Sequence, residues 1–215
     1  MTSGVVFDND GLLLDTEPCW TRAQTEVFRR RGRTFGLAEK HELVGTDPVT
    51  AGAVLERLLD APGEGRALSH ELYELALEEI GAGATPRPGA VELIRRLSNR
   101  VPLAVASNAP RRHLLAGLRR AGLDDVFGIK LGVDDVNAPK PAPDLYLEAC
   151  RLLGAVPARS TALEDSPPGV AAARAAGLYV IGVPSVAGVT LNADVVASSL
   201  ADDAVWETLA GRVMS

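Results

Sequence analysis

The sequence predicts an α/β protein: a doubly wound, parallel-sheet (Rossmann-like) core with an inserted all-helical cap domain. Three features predict it. A short apolar run at 5–7 stops at two acids, helical patterning continues over 18–83, and helix and strand alternate regularly after Gly89. The core is expected to occupy 1–15 and 84–215, and the cap 16–83.

Val5, Val6 and Phe7 are β-branched or aromatic and too few for helical periodicity, so they read as a buried strand. Trp20, Ala23, Val27 and Phe28 then recur at helical spacing before Arg31-Gly32. Further helices are expected at 37–43, 48–59 and 68–80, punctuated by Gly45-Thr46-Asp47-Pro48 and Ala61-Pro62-Gly63. After Pro86-Arg87-Pro88-Gly89 the expected order is helix 90–97, strand 102–106, helix 111–121 and strand 127–131. Helix 143–153, strand 161–163, helix 168–176 and strand 179–183 follow. Such alternation implies parallel strands joined by right-handed crossovers.

Composition excludes several classes. A net charge of −6 leaves no basic footprint for nucleic acid. No apolar stretch is long enough to span a membrane, and Met1-Thr2-Ser3-Gly4 does not open a signal peptide, so a cytoplasmic location is expected. Cys19 and Cys150 are too few for a disulfide framework or zinc cluster and are expected to be small buried hydrophobes. His41, His70 and His113 lack metal-ligand spacing and are expected at helix surfaces. With no apolar patch left over, a monomer is expected.

The chemistry concentrates at strand ends. Asp8 and Asp10 sit one residue apart where the first strand meets the rim of the sheet, the place where ligands bind in open α/β folds. Asp, Asn and Gly also form turns, so this segment alone fits a solvated strand end equally well. The run 103–106 stops at Ser107-Asn108, which fits a helix N-cap as well as an anion site. Lys140 is fenced by Pro139 and Pro141. The run 161–163 stops at Glu164-Asp165-Ser166, which also suits the start of a helix. Together these residues meet the needs of phosphoryl transfer. A carboxylate can attack phosphorus, and a second acid can move the protons. Carboxylates can hold magnesium, while hydroxyl, amide and ammonium donors hold phosphate oxygens.

In this order the residues resemble the haloacid dehalogenase-like hydrolases, in the branch with a helical cap after the first motif and close to sugar-phosphate and hexitol-phosphate phosphatases. The resemblance implies a nucleophile at Asp8 and a general acid/base at Asp10. It implies phosphate binding by Ser107, Asn108 and Lys140, and a Mg2+ site built from Asp8, Asp10, Glu164 and Asp165, with Asp10 contributing its backbone carbonyl. Asp15 and Thr16 would lie near the hinge. Glu17, Trp20, Val44, Gly45 and Thr46 are the cap residues expected to meet the substrate, a small phosphorylated metabolite. Beta-phosphoglucomutases share the architecture, and a phosphosugar mutase is the alternative. Trp20 stands near their histidine position, however, and 43–47 lacks the cations that would clamp a second phosphate.

Overall fold

The apolar run at 5–7 becomes the central strand of the sheet. A computed structural model describes residues 2–213. The strands are β1 (Val5–Phe7), β2 (Leu103–Ala106), β3 (Ile129–Leu131), β4 (Thr161–Glu164), β5 (Tyr179–Gly182) and β6 (Val195–Val196). They pair in parallel in the order β3-β2-β1-β4-β5-β6. β1 lies between β2 and β4, with Phe7 beside both Val105 and Leu163. Its side chains alternate: Val5 and Phe7 join one apolar cluster, and Val6 joins the other.

Between β1 and β2 come helices α1 (Glu17–Arg29), α2 (Leu37–Leu43), α3 (Pro48–Leu59), α4 (Gly65–Gly83) and α5 (Ala90–Leu97). Beyond β2 lie α6 (Arg111–Arg120), α7 (Asp144–Leu153), α8 (Pro167–Ala175) and α9 (Asp203–Val213). Leu93 of α5, Leu114 of α6 and Val205 of α9 pack with Phe7, while Ala149 of α7 and Val170 of α8 pack with Val6. Helices therefore cover both faces, as the doubly wound reading requires.

The block α1–α4 is stitched together by its own apolar faces. Val27 and Phe28 of α1, Leu55 of α3, and Leu72 and Ile80 of α4 are buried in the cluster that contains Phe7. Burying each such side chain stabilises the fold by roughly 1.5–3 kcal/mol. Asp47 starts α3 by accepting hydrogen bonds from the Val49 and Thr50 amides at 2.8 and 3.2 Å, and Pro48 fills the first turn. The segments before α1 and after α4 run side by side, joined by an isolated antiparallel bridge between Leu14 and Pro86. The Asp15 amide donates to Thr85 O at 2.7 Å, and the Arg87 amide donates to Leu13 O at 2.9 Å.

The structure adds β6 and α9, which lie beyond the last strand expected from sequence. It starts β3 at Ile129 and α4 at Gly65. Phe127 falls outside the strand because it turns into the core and meets the Phe7 ring edge-on at 5.9 Å. Among the described residues no helix is long and apolar enough to cross a membrane. Both cysteines are buried and unpaired.

His113 corrects the surface expectation. It is 1% exposed, stacked on Trp20 at 6.1 Å and edge-on to Tyr73 at 5.4 Å. Its Nε2–H donates to Tyr73 O at 2.6 Å, tying α6 to α4, while Nδ1 is buried without a partner. Burial holds its pKa below the usual histidine value, so the ring is neutral in the fold. As pH falls below about 6.5 the unfolded chain takes up this proton and the folded chain does not, so stability drops. The expected slope from this one group is up to about 1.4 kcal/mol per pH unit. Urea unfolding of wild type and His113→Gln between pH 7.5 and 5.5 checks it: the difference between the two should shrink as the pH falls.

Candidate active site

Because β2 and β4 flank β1 in register, three strand ends open at one edge of the sheet. The Asp8 amide donates to Leu163 O at 2.9 Å, which sets Asp8 beside Glu164. Asp8, Ser107, Asn108, Lys140, Glu164 and Asp165 are all buried.

Lys140 joins them. Its Nζ donates to Asp8 Oδ1 at 2.7 Å, to Glu164 Oε1 at 2.6 Å and to Ala106 O at 2.9 Å, using all three of its N–H bonds. Asn108 fixes the lysine's backbone. Its Oδ1 accepts from the Lys140 amide at 2.8 Å, and its Nδ2 donates to Lys140 O at 3.0 Å and to Gly45 O at 2.9 Å. The Asn108 side-chain amide is thus spent on loop geometry.

Glu164 is enclosed by donors. Tyr146 OH reaches Oε1 at 2.6 Å, and the Ser166 hydroxyl with the Asp165 and Ser166 amides reaches Oε2 at 3.1–3.3 Å. A Cβ on Gly169 would fall 1.9 Å from Oε1, so α8 needs glycine there. Asp165 accepts from the Ser185 hydroxyl. Gly11, at φ +82°, lets the first loop pass where a Cβ would sit 2.2 Å from Asp165 Oδ2.

The Asp10 carboxylate turns away from the other acids. It accepts from Ser107 Oγ at 2.9 Å and from Trp20 Nε1 at 3.3 Å. Ser107 Oγ in turn accepts from the Ala109 amide at 3.0 Å.

Asp8, Glu164 and Asp165 each place a carboxylate oxygen within 4.8 Å of the others. Burial pushes the Asp8 carboxyl well above the usual range; Lys140 pulls it down, while Glu164 and Asp10 raise it further. Burial, then Asp8 and Glu164, likewise raise Asp165. Burial disfavours the Lys140 ammonium, but Asp8 and Glu164 outweigh that and hold its pKa above the usual lysine value. One ammonium among three crowded acids leaves negative charge in excess, and hard oxygen donors of this kind suit a divalent cation. The Asp10 side chain lies outside this group.

Facing the acids, the helical block closes a cavity of about 60 Å³. Asp8, Asp10, Ser107, Asn108, Lys140 and Asp165 line one side, and Glu17, Trp20, Val44, Gly45 and Thr46 the other. Every residue expected to meet metal, phosphate or substrate reaches this cavity except Glu164, which stands behind Lys140; Asp15 and Thr16, expected near the hinge, do not line it. Sequence reasoning missed Tyr73 on the cavity wall, Tyr146 and Ser185. Tyr146 looks like one more apolar position of α7, and Ser185 lies 20 residues from the acid it holds.

A model of the haloacid dehalogenase-like hydrolase family matches residues 2–177. The chain belongs to the haloacid dehalogenase-like hydrolases. It is 33% identical to the bifunctional riboflavin kinase/FMN phosphatase of Arabidopsis thaliana, over 94% of this chain and 54% of that one. It thus spans about half the length of that relative. It is 30% identical to fructose-1-phosphate phosphatase YqaB of Escherichia coli, over 84% of this chain and 96% of that one. The crystal structure of CbbY from Rhodobacter sphaeroides in complex with phosphate is 29% identical, with a TM-score of 0.80 over 94% of this chain and 96% of that one.

The hydrolase's buried cation is expected to be structurally indispensable. Lys140→Met leaves Asp8 and Glu164 without their shared counter-charge, and should cost about 3–5 kcal/mol in urea unfolding.

Proposed function

We propose that this hydrolase is a magnesium-dependent phosphatase that cleaves small phosphomonoesters, of a sugar or polyol, through an aspartyl-phosphate on Asp8. The observation that carries the reading is the Asp8 carboxylate on the cavity wall, held by Lys140, with Asp10 two residues on. An Asp8 oxygen attacks phosphorus as the P–O ester bond breaks, and Asp10 gives its proton to the departing alkoxide. Asp10 then takes a proton from the water that attacks the aspartyl-phosphate, and phosphate leaves with Asp8 regenerated. Ser107 gives its one O–H to Asp10 in this structure and would turn it to a phosphoryl oxygen when substrate binds, while Lys140 keeps Asp8 oriented.

Asp8, Asp165 and the Asp10 carbonyl are the groups to hold Mg2+, with Glu164 fixing the lysine and the 165–166 backbone beside them. When bound, magnesium neutralises charge on the phosphoryl group. Residues 16–83 act as a cap hinged where 14–15 meets 85–87. The cavity is walled by both the sheet edge and the helical block, so an ester is expected to enter as the cap swings away. Closure brings Trp20 onto Asp10 and Gly45 onto Asn108, and expels water from the reacting atoms. The YqaB relative supports a sugar phosphate as substrate.

Turnover of an aryl phosphate with magnesium is expected, and Asp8→Asn should abolish it by at least about 10³-fold. Undiminished turnover by that variant removes Asp8 as nucleophile. Magnesium at about 100 times its Kd should stabilise the metal-stripped protein by about 2.7 kcal/mol, seen as a rise in Tm of several degrees. Asp165→Asn should remove most of that rise.

A further inference from the structure

The cap side of the cavity carries a charged device that the phosphoryl chemistry does not use. Glu17 opens α1 and lines the cavity opposite Asp8. Lys40, on α2, lies behind it and is not part of the lining. Its Nζ is 2.9 Å from Glu17 Oε2 and donates to Thr21 Oγ1 at 2.8 Å. The pair is mostly sheltered, with side-chain exposures of 19% for Lys40 and 14% for Glu17. Lys40 therefore anchors the carboxylate toward the cavity and offers no cation of its own.

The rest of the cap wall carries no charge, and most of it is apolar or aromatic, with Trp20, Leu43, Val44, Leu72 and Tyr73 beside Thr46. Across the whole lining, four carboxylates (Asp8, Asp10, Glu17 and Asp165) face one ammonium, Lys140, which is fully engaged. A divalent cation offsets two of the three surplus negative charges, and the dianionic phosphate of the substrate then adds more. A second anionic group on the leaving fragment would meet the Glu17 carboxylate, whose one counter-charge, Lys40, lies behind it and outside the cavity lining. A hydroxyl in the same place can donate to that carboxylate.

We propose that the Glu17–Lys40 pair is a specificity device that admits uncharged, hydroxylated leaving groups and rejects phosphoesters bearing a carboxylate or a second phosphate. The proposal rests on the phosphatase reading for its substrates but not for its physics, which is a matter of binding. Like charges brought together in a sheltered site lower affinity by about 10- to 100-fold, and specificity here comes from that repulsive element.

Glycerol 3-phosphate and 3-phosphoglycerate test it, because they differ by a hydroxymethyl against a carboxylate at nearly constant size. Wild type is expected to favour glycerol 3-phosphate in kcat/KM by about 10- to 100-fold. Glu17→Gln should narrow the ratio by about tenfold, and Lys40→Met, which strips Glu17 of its counter-ion, should widen it. The same comparison by calorimetry uses the two phosphonate analogues, in which a methylene replaces the ester oxygen, with the wild-type magnesium-loaded protein. Analogues that bind with the expected ratio while neither ester is cleaved would leave this inference standing and remove the phosphatase reading. A wild-type ratio near one, or a ratio unmoved in Glu17→Gln, overturns the inference. Should Glu17→Gln not fold, Lys40→Met decides alone, and an unwidened ratio overturns it.

Discussion

A single ammonium, buried among carboxylates, governs the site. Lys140 is nearly inaccessible, yet its three N–H bonds reach three separate places in the chain: Asp8, Glu164 and the end of β2. Desolvating such a charge is costly, and two carboxylates and a carbonyl at hydrogen-bonding distance compensate, together with the Tyr146 ring 5.0 Å away. The surroundings follow from that requirement. Asn108 holds the lysine's backbone, Tyr146 and Ser166 complete Glu164, and Gly169 makes room for the Glu164 carboxylate. The arrangement fixes Asp8 in place but leaves net negative charge, which is the electrostatic case for a divalent cation.

A second constraint joins the helical block to the sheet. Trp20, Gly45 and Tyr73 each give one hydrogen bond partner to Asp10, Asn108 and His113 respectively. Each link involves a residue that lines the cavity, so the two parts of the protein meet there. Trp20 is itself held between the His113 and Tyr73 rings, which makes the contact to Asp10 a rigid one. Movement of the helical block thus changes the environment of Asp10 directly.

Much of this was legible beforehand, for identifiable reasons. Strand-end acids, a proline-fenced lysine and glycine-punctuated helices are local signals, and all were read near their observed places. β6, with two residues, is too short to show alternation, and the start of α9 rests on Asp202 accepting from the Ala204 amide at 3.2 Å within a polar connection. His113 was misread because a histidine among Arg111 and Arg112 looks solvated. Only packing against α4 and Trp20 buries it. The same limit hid Tyr146 and Ser185, whose partners lie 18 and 20 residues away in other segments.

The sequence by itself determined the α/β class, the helical insertion and the identity of nearly every polar group at the sheet edge, because periodicity and strand-end chemistry are written in neighbouring residues. Only the tertiary structure decided how those groups divide their work. Glu164 faces the lysine, Asp10 faces the helical block, and Lys40 neutralises Glu17 from behind the cavity wall. Those assignments join residues 10 to 24 positions apart, in different segments, and are set by the order of strands in the sheet and by where the inserted helices come to rest.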